Sequence, residues 1–128
     1  MKVEYVEGIV TLDGELVLGA NVVFVPLTKG EGTIEAAGGM SDGQGRYKLS
    51  SMNGDPEKGA VAGKYRVLIE KVEVRDLTVN GSQRRIGDLD YIQISLLPKI
   101  YGDKEKSPLT ATVNPGKNNI DLELKKQP

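Results

Sequence analysis

The chain has no cysteine, no histidine and no tryptophan, and a single phenylalanine. Without cysteine there is no disulfide and no thiolate nucleophile. That absence suits a reducing compartment and many periplasmic proteins equally, so it does not fix a location. Without histidine there is no Ser-His-Asp or Cys-His relay, and no imidazole to ligate zinc, copper or non-haem iron. No Ser-x-x-Lys motif stands in for them. Neither a catalytic residue, a metal site nor a cofactor is expected. Charge of one sign is also lacking: 17 basic residues balance 18 acidic ones, a net charge of −1. With no basic block, nucleic acid is not an expected partner. No apolar run approaches the roughly 20 residues of a membrane-spanning helix. Met1 leads directly into Lys2-Val3-Glu4-Tyr5 with no apolar leader, so either the protein is cytoplasmic or its export signal lies outside this sequence.

What the chain does have is glycine and proline, sixteen and six of them. They often fall about eight to twelve residues apart, the spacing of turns in an all-β domain. A chain of 128 residues reads as one domain over 1–128. It is long enough to bury roughly 70% of its unfolded surface without disulfides or metals.

Alternation of apolar and polar residues predicts the strands. The first covers Val3 to Leu12, with Val6, Gly8, Val10 and Leu12 on the core side. Asp13-Gly14 is a turn, and Val17 tucks beneath it. The second runs from Ala20 to Pro26, with Ala20, Val22 and Phe24 inward, and Pro26 ends its ladder. Thr33 to Met40 is poor in β-branched residues and is expected at a sheet edge. Ser41-Asp42-Gly43-Gln44-Gly45 connects it to a strand at Arg46 to Ser50, with Tyr47 and Leu49 inward. Gly63 to Val72 is the strongest strand. Tyr65, Val67 and Ile69 point in, and Arg66, Leu68 and Glu70 point out. The last two strands are centred on Leu109, Ala111 and Val113, and on Ile120, Leu122 and Leu124, with Pro115-Gly116-Lys117-Asn118 as their turn. The sum is a seven-stranded antiparallel Greek-key β-sandwich.

Residues 72–97 interrupt this pattern with a long insertion before the last two strands. Val72-Glu73-Val74 extends the preceding strand, and Tyr91 to Leu96 alternates as a short edge strand or packs as ordered loop. A connection this long is uncommon in a compact domain, which marks it as a binding surface or a disordered excursion.

Three phrases then stand out. The first is Gly8-x-Val10 followed by Gly19-Ala20-x-Val22-x-Phe24. The second is Ser41-Asp42-x-x-Gly45-x-Tyr47-x-Leu49, and the third Gly63-x-Tyr65-x-Val67. In this order they resemble the carboxypeptidase regulatory-like domains, of the transthyretin-like or prealbumin-like β-sandwich class. The tail, Leu97-Pro98-x-x-Tyr101, Ser107-x-Leu109, Val113, Gly116, Asn118, Asp121 and Leu124, resembles that of small secreted or lipid-anchored bacterial proteins built on this domain. The resemblance implies a non-catalytic interaction or scaffold module of the bacterial cell envelope, periplasmic or at the cell surface, tethered by a lipid in its precursor. Its partner would be an envelope protein or a polysaccharide. The alternative it implies is a carbohydrate-binding module.

Enzymatic relatives of that fold do not fit. Hydroxyisourate hydrolases use histidines and a Tyr-Arg-Gly-Ser ending, whereas this chain closes on Lys126-Gln127-Pro128. Intradiol dioxygenases need two His beside two Tyr. Collagen-adhesin domains join a Lys to an Asn with help from a buried acid. Thr11 and Ile69 occupy the Lys and acid positions, so no such crosslink is expected.

Candidate contact residues cluster in and beside the insertion. Tyr91 and Tyr101 offer rings that stack on sugars or anchor an interface, and Arg84 with Arg85 offers a fork for phosphate or carboxylate. Asp90, near Asp88 and Asp76, offers a carboxylate. Each has a simpler reading as a solvated loop residue, and for Tyr101 the simpler reading is a pin holding the loop to the sandwich. Asp42 supplies a single carboxylate where a calcium ion wants about six to eight oxygens, so its loop reads as a turn.

Overall fold

The structure, a computed structural model, describes residues 4–27, 36–51, 59–76 and 91–126. Twelve strands order along them: β1 (Tyr5–Leu12), β2 (Glu15–Leu16), β3 (Asn21–Pro26), β4 (Ala37–Met40), β5 (Arg46–Lys48), β6 (Ser50–Ser51), β7 (Gly63–Glu70), β8 (Val72–Asp76), β9 (Tyr91–Ser95), β10 (Thr110–Val113), β11 (Lys117–Asn119) and β12 (Leu122–Leu124). A single 3-10 turn, Lys99–Gly102, is the only helical piece among the described residues. The protein is all-β.

Two sheets face one another across a common core. The first is built on β1, which pairs antiparallel with β2 and β5 and parallel with β11 and then β12. The second runs β10-β7-β3-β4-β6, antiparallel throughout. The chain changes sheets at Leu49, whose N–H donates to the Val6 carbonyl between β5 in one sheet and β6 in the other. Phe24 from β3 joins the layers. Its ring lies 6.3 Å from that of Tyr47 and 5.7 Å from that of Tyr65, both tilted, and such pairs contribute about 0.5–1.5 kcal/mol beyond burial. Val6, Val10, Val22, Val67, Ile69, Val113, Leu122 and Leu124 fill the rest of the space. These are the inward parities of the sequence, and Val17 is buried beneath its turn as expected.

Several expectations are corrected. The sheets are not a simple seven-stranded antiparallel set, because β1 runs parallel to the last two strands. β11 starts at Lys117, inside the predicted turn, where the buried Asn118 amide donates to the Tyr5 carbonyl at 3.1 Å and ties it to β1. β4 is not an edge but lies between β3 and β6. Its small residues allow this: a Cβ on Gly39 would run into the Lys48 carbonyl. Leu68, expected outside, is buried. Of the predicted Thr33 to Met40 strand, positions 33–35 lie outside the described residues.

Candidate functional site

The insertion starts where β7 ends. After Lys71 the chain continues into β8 and returns as β9, with Val72 opposite Ser95, Val74 opposite Gln93 and Asp76 opposite Tyr91. The Leu96 N–H donates to the Lys71 carbonyl at 2.8 Å and closes the root of this ribbon. Tyr91 to Ser95 is thus a strand, but not on the edge of either main sheet. Among the described residues β8 and β9 pair only with each other. A two-stranded ribbon is marginally stable in water on its own, and a third strand or a packed face is what makes such a unit firm.

Beyond the ribbon the chain is tied back to the body. Ser95 Oγ donates to the Leu97 carbonyl at 2.8 Å, Leu97 is buried, and Pro98 opens the 3-10 turn. That turn drops Tyr101 into the core with 2% of its surface exposed. Its hydroxyl donates to the Lys125 carbonyl at 3.1 Å and accepts from the Lys125 N–H at 2.8 Å. Tyr101 therefore bridges the 3-10 turn to the end of β12, and a ligand cannot reach its ring face. The pinning role holds and the contact role does not.

The following turn is built on Asp103, whose Oδ1 accepts from the N–H groups of Glu105 and Lys106 at 2.8 and 3.0 Å. These two bonds hold its carboxyl below the ordinary aspartate range. Arg66 Nη1 donates to the carbonyls of Lys104 and Glu105 at 2.9 and 2.8 Å. Ser107 Oγ donates to the Val67 carbonyl at 2.6 Å. The segment from Leu97 to Leu109 is thus held both to β7 and, through Tyr101, to the first sheet.

Between the ribbon root and the 3-10 turn lies an open cleft of about 360 Å³. Ile69, Val72 and Pro98 give it apolar walls, and Glu70, Lys99 and Asp103 bring charge. Gly102 keeps it narrow at one point, since a Cβ there would meet the Glu70 carboxylate. Two carboxylates and one ammonium can orient a polar group by hydrogen bonds and charge. None of the described residues lining the cleft is aromatic. Among the described residues no group of three or more His, Cys, Asp or Glu could hold a metal ion, and no helix is long and apolar enough to cross a membrane.

The residues proposed from sequence distribute unevenly. Tyr91 sits on β9, opposite Asp76. Arg84, Arg85 and Asp90 lie outside the described residues. Asp42 takes the turn role: its Oδ1 accepts from the N–H groups of Gln44 and Arg46 at 2.9 and 3.0 Å, and Gly45 adopts φ +74°. Glu70, Lys99 and Asp103 carry no motif. They meet only because β7 and the 3-10 turn pack together, and no local signal in the sequence marks them.

No family model matches the chain, and neither a curated protein nor a solved structure is similar to it at a significant level.

Proposed function

We propose that this chain is a non-catalytic interaction module that works through its β8–β9 ribbon, on a Greek-key sandwich of the transthyretin-like, carboxypeptidase regulatory-like kind. The observation that carries the proposal is the ribbon itself: two strands leave the body together and pair with no other strand among the described residues. Each then has an edge with no strand partner among the described residues, where a strand added from a partner would pair with its backbone. The three glycine-entered phrases and the Leu97-Pro98-x-x-Tyr101 tail support the family reading. With it goes a place at the bacterial cell envelope, with a protein or a polysaccharide as partner. The lack of histidine and cysteine supports a binding role over a catalytic one. Carbohydrate is the second choice, because no aromatic platform lines the cleft among the described residues.

The ribbon can be removed cleanly, since Lys71 and Leu96 already meet through a backbone hydrogen bond. Replacing residues 72–95 with Asn-Gly should leave a folded body. The intact and ribbonless forms are immobilised and exposed to an envelope extract. Capture by the intact form and none by the ribbonless form supports the proposal, and a polysaccharide in the eluate selects the second reading. Equal capture by both forms, or by neither, overturns it.

A further inference from the structure

A second, smaller groove of about 140 Å³ opens beside the ribbon root. Leu12, Leu16, Leu96 and Leu97 give it an apolar lining, and Glu15 and Lys71 stand in the same wall. Leu16 and Leu96 are buried only in part, at 52% and 43% exposed. Leu16 sits on β2, a two-residue strand whose only strand partner among the described residues is β1. Neither Glu15 nor Lys71 forms an ion pair among the described residues; Arg46–Glu7 is the pair found there.

One acid and one base, neither in an ion pair among the described residues, stand on a shared leucine floor and form a surface that complements itself. That is what a two-fold interface requires, because each contact from one copy to the other is repeated in reverse. A lipid surface fits less well, since Glu15 would face anionic head groups. We propose that this groove is the interface through which two copies of the chain associate. Leu16 and Leu96 of each copy cover the groove of the other, and Glu15 faces the partner's Lys71. The proposal does not depend on the ribbon's role. It does bring two ribbons to one assembly, because Lys71 and Leu96 are also the ribbon's root, and paired arms bind a repetitive partner with avidity.

The groove is small, so association in the micromolar to millimolar range is expected, measured by sedimentation equilibrium of the full chain. Leu96→Glu should weaken dimerisation by about a hundredfold or more, as a charge forced into a desolvated contact does. Leu16→Glu should act alike. Because Leu16 also lies against Gly45, its fold is checked by thermal melting. Glu15→Lys alone places like charges opposite one another and should weaken the dimer about tenfold. Adding Lys71→Glu should restore it. A chain that stays monomeric at millimolar concentration overturns the proposal. So does a dimer that survives Leu96→Glu, or a charge-swapped double variant no tighter than Glu15→Lys.

Discussion

Asp121 Oδ1 accepts the Ile9 N–H at 3.0 Å across 112 positions of chain. The contact falls where β11 has ended and β12 has not begun, so a carboxylate takes the place that a carbonyl would hold in an unbroken ladder. One step earlier the Ile120 N–H donates to the Glu7 carbonyl at 2.8 Å, and the Ile120 carbonyl accepts from the Tyr47 hydroxyl. Three hydrogen bonds therefore span the break between the two strands.

Gly8 is the residue that this geometry cannot replace. A Cβ there would run into the Ile120 carbonyl and press on the Tyr47 ring. Gly8→Ala is expected to destabilise the fold by about 3 kcal/mol or more, at or beyond the upper end of ordinary overpacking costs. The urea midpoint should fall with an unchanged slope.

Ser41 joins two loops. Its Oγ accepts the buried Ala20 N–H at 2.8 Å, its N–H donates to the Ala20 carbonyl, and its carbonyl accepts from the Gly19 N–H. Ser41→Ala keeps the backbone bonds but strands the Ala20 N–H, at a cost of about 1–3 kcal/mol. Ser41→Thr, which keeps the hydroxyl, should recover most of this in the same urea titration.

Tyr101→Phe removes both bonds to Lys125 and should cost about 1–2 kcal/mol. Tyr101→Ala should cost about 3–5 kcal/mol through the cavity it leaves. Neither should change capture of an envelope partner at temperatures where the variant is folded. Loss of capture by folded Tyr101→Phe would return this residue to the binding surface.

The pH profile of stability should have two limbs. Asp42 and Asp103 are held below the ordinary value of 3.8, chiefly by backbone N–H bonds from Gln44 and Arg46 and from Glu105 and Lys106. A depressed carboxyl contributes stability above its unfolded value and loses it as pH falls toward its folded one. Stability should thus drop below about pH 4, and Asp42→Asn or Asp103→Asn should flatten that limb. Tyr47 is pushed above its ordinary 10.0 by burial and then by the nearby Asp121 charge, and Tyr65 by burial. A raised phenol keeps its contribution below the unfolded value and loses it above, so stability should fall again beyond about pH 10. Urea midpoints across the range measure both limbs, and Tyr47→Phe should soften the second.

The core was legible because strand parity is a local property. Val22 and Phe24, Tyr47 and Leu49, and Tyr65, Val67 and Ile69 alternate inward in the sequence and are buried in the fold. Asp13 and Gly14 showed their turn and adopt φ 49° and 86°. The partner of each strand was not legible, because pairing depends on the whole chain. Nothing near Val10 or Leu122 states that they lie side by side in parallel. Tyr101 lies beside the insertion in sequence, away from the core phrases, and it is the 3-10 turn that carries it inward. The cleft was not legible for the same reason as the pairing. Glu70 and Asp103 are far apart in the chain and belong to no repeat.

The parallel pairing of β1 with β11 and β12 also has a mechanical meaning. The start of β1 and the end of β12 lie toward opposite ends of this seam. A pull that separates them acts along the strands, so it loads the seam's hydrogen bonds together, in shear, and does not open them one after another. A tether at one end and a load at the other would meet the direction in which this sheet yields last.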